Sequence, residues 1–126
     1  MATITDAGLA VVAKRLNGSG ADAAFTYIAT GSGSTAESTS HTALVAENTA
    51  NGSARATATC TQENTGDSKW VKTFTFTGNV TVREISIQNA PSGGTMYLRH
   101  VLASNREYEN GQSLEITITN TTSRGA

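Results

Sequence analysis

The chain has 126 residues, of which 37% are hydrophobic and only 15% charged, with a formal net charge of -1. That length suits one domain, expected to span residues 1–126 and to bury about two-thirds of its unfolded surface around one core. The near-neutral balance, without a long basic or acidic run, gives no electrostatic reason to expect a nucleic-acid partner.

The lone cysteine, Cys60, excludes an internal disulfide and a cysteine-based zinc cluster. Residues 1–6 lack the basic start and apolar core of a signal peptide, and no stretch approaches the roughly 18 apolar residues of a membrane helix. The expectation is a protein made in a cytoplasm, with no membrane partner, that reaches any other station by assembly.

In chain order, Thr5 is placed to N-cap a helix over residues 5–17, with Asp6 near its positive end. Leu9, Val12, Ala13 and Leu16 recur at i, i+3, i+4 and i+7 and form one apolar stripe; Gly18 ends the helix. Gly8 and the pair Val11-Val12 weaken its propensity, so it should depend on docking against a sheet or a neighbouring subunit. Phe25 to Ala29 reads as a strand, followed by a mobile loop from Gly31 to about Ser40, with Leu44 and Val45 as a small anchor.

From Ala54 to Thr61 small residues alternate with polar ones, which predicts a strand with Ala54, Ala56, Ala58 and Cys60 on one side and Cys60 buried. Trp70 to Thr77 is the first strong strand, and Gly78-Asn79 suggests a hairpin onto Val80 and Val82. Between Val82 and Ile85 the apolar phase slips by one residue, the mark of a bulge near Arg83-Glu84. Strands from Met96 to Leu102 and from Leu114 to Thr119 follow, separated by turns at Pro91 to Gly94 and Glu109 to Gln112. Together these segments predict a mainly β fold: an antiparallel β-sandwich over residues 25–119, jelly-roll-like or an open barrel, with one short N-terminal helix.

The sequence carries no recognisable catalytic or metal-binding pattern. His41 lies in a Ser/Thr-rich loop and His100 beside Arg99, and neither has a carboxylate or cysteine at ligand spacing. Asp67, Ser68 and His100 contain the atoms of a triad but no Gly-x-Ser-x-Gly elbow accompanies them. Gly31-Ser32-Gly33-Ser34 lacks the Lys-Ser/Thr of a phosphate loop and reads as a flexible linker. The expectation is no enzyme activity, no cofactor and no metal. Tyr97, Arg99 and Tyr108 are residue types that anchor interfaces.

Several segments resemble a family of small virion structural proteins of tailed bacteriophages. They are Thr5-Asp6-Ala7-Gly8-Leu9 before the helix; Tyr27 to Gly33 followed by Thr42-Ala43-Leu44 and Glu47; and, in the last third, residues 82–87, 96–102 and 111–118. The resemblance implies a capsid decoration, or cement, protein on the outer surface of an icosahedral head, with the major capsid protein as partner and a homotrimer as the working unit. The alternative it implies is a tail, collar or head-fibre component. A carbohydrate-binding module or a small hydrolase is a further alternative, and a sugar site would require Trp70 as an exposed platform. The candidate contact residues are Thr5, Leu9, Val12, Leu16, Thr35, Glu37, His41, Tyr97 and Arg99. Removal of residues 1–5 is expected to weaken capsid occupancy without unfolding the sandwich.

Overall fold

The alternating runs do form strands, and they assemble into two antiparallel sheets with one helix near the N-terminus, in a computed structural model that describes residues 2–125. The strands are β1 (Thr3–Ile4), β2 (Tyr27–Gly31), β3 (Ala56–Thr57), β4 (Thr59–Gln62), β5 (Asp67–Thr75), β6 (Val80–Gln88), β7 (Met96–Tyr108) and β8 (Ser113–Thr121), and the helix α1 spans Asp6–Asn17. One sheet has the order β1-β7-β6-β2-β3 and the other β4-β5-β8. Ile28, Val82, Ile85 and Ile87 of the first sheet share a buried core with Trp70, Phe74 and Ile116 of the second. The sheets do not close into a barrel, and the fold is a β-sandwich.

Gly78-Asn79 does not close a hairpin. β5 pairs with β4 and β8, whereas β6 pairs with β2 and β7, so the chain crosses at this point from one sheet to the other. Asn51 holds the crossover through a bond from its Nδ2 to the Asn79 carbonyl and through its own carbonyl, which accepts from the Thr77 N–H. Phe74 and Phe76 still meet Val80 and Val82 in one core, but from opposite layers. The segment from Ala54 to Thr61 also changes sheets. It breaks at Ala58, whose N–H bonds the Thr26 carbonyl, with β3 on the β2 edge and β4 on the β5 edge. Cys60 therefore lies exposed on a sheet edge rather than buried.

The phase slip in β6 is real, and its consequences run through the fold. Val82 faces Arg106 and Glu84 faces Val101, so residues 102–105 of β7 bulge out opposite Arg83. Arg83 pins this excursion, donating from Nε to the Leu102 carbonyl at 2.7 Å. Past the slip, Ile85 and Ile87 return to the core, and Glu84, Ser86 and Gln88 turn to the outer face of the sheet, where all three are buried.

What buries them is the segment from Ser32 to Ala46, which lies across that outer face as a strap. Its anchor is an ion pair between Glu84 and Arg99, two side chains with 0% exposure, joined from Arg99 Nε to Glu84 Oε1 at 2.8 Å. The Glu84 carboxylate also accepts backbone N–H bonds from Gly33 (2.9 Å), Val45 (3.0 Å) and Ala46 (2.8 Å). Arg99 Nη1 donates to the Thr35 carbonyl at 2.8 Å. The expected mobile linker is thus tied down at both ends by one carboxylate. Its glycines follow from that contact: a Cβ on Gly31 or Gly33 would sit 2.5 or 2.6 Å from Glu84 Oε2. Under the strap, Ala29, Leu44 and Met96 form a second apolar cluster, and β2 is buried on both faces.

α1 is capped as its sequence predicts. Thr5 accepts the Gly8 N–H at 2.9 Å, and Gly18 takes the left-handed conformation at the other end. The docked face differs from the expected one. Gly8 and Val11 are buried, and a Cβ on Gly8 would come within 2.7 Å of the Tyr97 Cα. The missing side chain lets the helix lie directly on the β7 backbone, and this close approach outranks the larger apolar stripe in choosing the face. Residues 3–5 are also no detachable anchor. Thr3 and Ile4 pair with Arg99 and Leu98, and the buried Thr5 bonds the Met96 carbonyl.

Replacing Glu84 with alanine strands the buried Arg99 and releases three N–H groups of the strap. Urea unfolding of Glu84→Ala should show a loss of about 3–5 kcal/mol, the usual cost of removing one partner from a buried pair. A loss below about 1 kcal/mol would mean that the strap does not depend on this carboxylate.

Candidate docking surface

The nine residues singled out from sequence fall into three groups by their place in the fold. Thr5, Tyr97 and Arg99 lie inside the fold and offer no surface: Thr5 is the helix cap, Tyr97 stacks in the core, and Arg99 is the strap anchor. Thr35, Glu37 and His41 belong to the strap: Thr35 is exposed and turns only its backbone carbonyl inward, to Arg99, whereas Glu37 and His41 are half-buried with their side chains facing the sheet. Glu37 accepts from the Thr3 hydroxyl at 2.6 Å and from the Val101 N–H at 2.8 Å, and its Oε2 lies 3.3 Å from His100 Nδ1. His41 Nδ1 stands 3.5 Å from Arg99 Nη1. Sequence spacing could not show that Glu37 and His100, 63 positions apart, would meet, because the strap brings them together.

This polar cluster is spent on structure. Burial opposes ionisation of Glu84 most strongly, yet the N–H bonds from Ala46, Val45 and Gly33 and the Arg99 guanidinium outweigh it and hold the carboxyl below its ordinary value. Glu37 follows the same pattern: burial is again the largest influence, and the bonds from Thr3 and Val101 with nearby His100 overcome it. Among the described residues, no group of histidine, cysteine and acidic side chains is placed to hold a metal ion.

Leu9, Val12 and Leu16 are the apolar candidates that remain on the surface. They are 52%, 39% and 87% exposed, on the side of α1 turned away from its docking contact. Large apolar side chains clustered on one helical face mark a contact surface more often than scattered ones do. Val12 and Leu16 also form one wall of a groove of about 570 Å³ between α1 and the second sheet. Phe25, Cys60 and Trp70 line the opposite side, with Arg15 and Lys69 among its polar residues. Partial desolvation by the groove walls pushes the pKa of the exposed Cys60 thiol up.

The floor of this groove is rigid. Trp70 is 8% exposed and donates from Nε1 to the Phe25 carbonyl at 2.7 Å. Tyr97 packs against both aromatic rings, with centroids 5.0 Å from Phe25 and 6.3 Å from Trp70. A buried Trp70 offers no flat platform for a sugar ring, which removes the feature that a carbohydrate-binding reading required. A scan against protein-family models finds none that matches the chain, and a search of curated proteins finds no match either.

The depressed carboxyls give the strap a pH dependence of definite sign. A group whose folded pKa lies below its unfolded value adds stability above the unfolded value, and loses it as the pH falls through the folded one. The urea midpoint should therefore hold near neutrality and decline as the pH drops below the ordinary glutamate value of 4.5. In Glu84→Gln the same titration should be shallower, and an unchanged slope would remove Glu84 from the account.

Proposed function

We propose that the chain is a virion structural protein of a tailed bacteriophage, a decoration protein that binds in many copies to the outer surface of the head shell and stabilises it. Two independent lines support this reading. One is the resemblance carried by residues 5–9, 27–33 and the last third of the chain. The other, which carries the reading on physical grounds, is the set of exposed apolar side chains at Leu9, Val12 and Leu16 beside an apolar groove.

A shell-binding protein must be rigid before it binds, because ordering a loose surface at the moment of contact costs affinity. The strap supplies that rigidity, since it fixes the sheet on which α1 rests. Adhesion also needs surface in place of reactive groups, and the buried and half-buried glutamates Glu84 and Glu37 are engaged in holding the strap. The partner in this reading is the major capsid protein. Leu9, Val12 and Leu16 would be covered on binding, and Arg15 and Lys69 would meet the polar rim.

Leu9→Gln with Leu16→Gln tests the reading without disturbing the fold, since both side chains already face water and surface changes of this kind stay within about 0.5 kcal/mol. Burying a leucine is worth about 1.5–3 kcal/mol, so the double variant should bind undecorated shells of the same virion at least about tenfold more weakly. Counting bound copies by electron microscopy and by sedimentation reads the result. Equal occupancy by the variant, or no binding of the parent chain to the shell, would refute the proposal.

A further inference from the structure

We propose that two copies of this chain pair edge to edge through β8, joining their smaller sheets across a two-fold axis. The inference starts from unused backbone hydrogen-bonding groups. β8 runs for nine residues, Ser113–Thr121, and pairs on one side with β5. No strand of the described residues pairs with its other side.

The direction of each group follows from the register. Phe76 donates its N–H to the Gln112 carbonyl and Thr122 donates to the Gly66 carbonyl, so the even-numbered positions of the ladder turn toward β5. Antiparallel pairing alternates strictly. Ser113, Glu115, Thr117, Thr119 and Thr121 therefore direct their N–H and C=O groups outward, and their side chains are all exposed.

Sheet edges of this kind are normally guarded by shortness, bulges, prolines or lysines. The other edges here obey that rule. β1 and β3 have two residues each and β4 has four. β7 bulges at residues 102–105, and the Glu37 carboxylate takes its Val101 N–H. β8 has no proline, glycine, lysine or irregularity, and its only charge is Glu115.

Self-complementarity decides the occupant. In the antiparallel register that places Ile116 opposite Ile116 of the second copy, Leu114 faces Ile118 on the inner side, so apolar residues meet apolar residues. On the outer side Glu115 faces Thr117 and Ser113 faces Thr119, so no like charges oppose each other. Only a two-fold axis satisfies this isologous pairing, and the resulting unit is a dimer and not the trimer that the family resemblance implies. The proposal is independent of what the chain binds.

Thr117→Pro is the direct test. The Thr117 N–H takes no part in the β5 ladder, and proline is tolerated on an edge whose N–H faces solvent. Sedimentation equilibrium of the full chain should show a discrete dimer for the parent sequence and a folded monomer for Thr117→Pro. Amide hydrogen exchange on the parent chain gives a second readout that does not rely on the variant. The Glu115 and Thr117 amides should gain at least about tenfold protection between dilute and concentrated samples, as partner pairing closes them to solvent. A parent chain that stays monomeric, a dimer that survives in folded Thr117→Pro, open-ended aggregation, or amides indifferent to concentration would each overturn the pairing.

Discussion

The structure depends on a charge that has been taken out of water. A carboxylate with no exposed surface is costly, and Glu84 is tolerable only because Arg99 and three strap N–H groups surround it. Pairs of this kind add little net stability over a well-packed apolar substitute, but they reject every arrangement that leaves a partner missing. Here the rejected arrangements are those with the strap open. Once it is closed, Ala29, Leu44 and Met96 pack beneath it, and the larger sheet becomes a doubly covered layer. Gly31 and Gly33 belong to the same device, since they leave the space that the carboxylate fills.

Most of the strand content was legible because alternation is a local signal. A period of two shows in a few residues, and Trp70 to Thr75, Val80 to Gln88 and Ser113 to Thr121 all display it. Pairing was not legible, because Gly78-Asn79 has the chemistry of a hairpin turn and nothing in it says that the next strand joins the opposite sheet. The exposed helix stripe escaped for a related reason. Hydrophobic periodicity identifies the apolar face, but the contact was chosen by the absence of a side chain at Gly8. The bulge was a true signal whose meaning was hidden. The slip at Arg83-Glu84 announced that a residue would change faces, but only the fold shows that the face it reaches is dry.

The candidate site shows the same division. Leu9, Val12 and Leu16 could be picked out as one stripe, and they remain together on the surface. Tyr97 and Arg99 have the composition of interface anchors, but they sit in a strand covered on both sides, so their bulk and charge serve the interior. Phe25 and Cys60 complete the groove and carried no sequence signal for it. Cys60 reaches it because the chain changes sheets at Ala58, a position marked only by a small side chain, and Phe25 is held there by the Trp70 bond to its carbonyl.

The two surfaces proposed for contact lie at opposite margins of the smaller sheet, and this follows from topology alone. The groove is walled by β4 and β5 residues, and β8 lies on the far side of β5 in the order β4-β5-β8. Copies joined at β8 would therefore keep both grooves free, one at each end of the doubled sheet. Such a unit meets a repeating surface at two points, and the second contact forms at the high effective concentration set by the first. A modest helix patch then suffices for firm attachment, because avidity comes from the spacing between grooves and not from the strength of either one. Rigidity preserves that spacing: the strap holds the larger sheet on which α1 rests, so the helix wall of each groove keeps its place relative to the smaller sheet packed beneath.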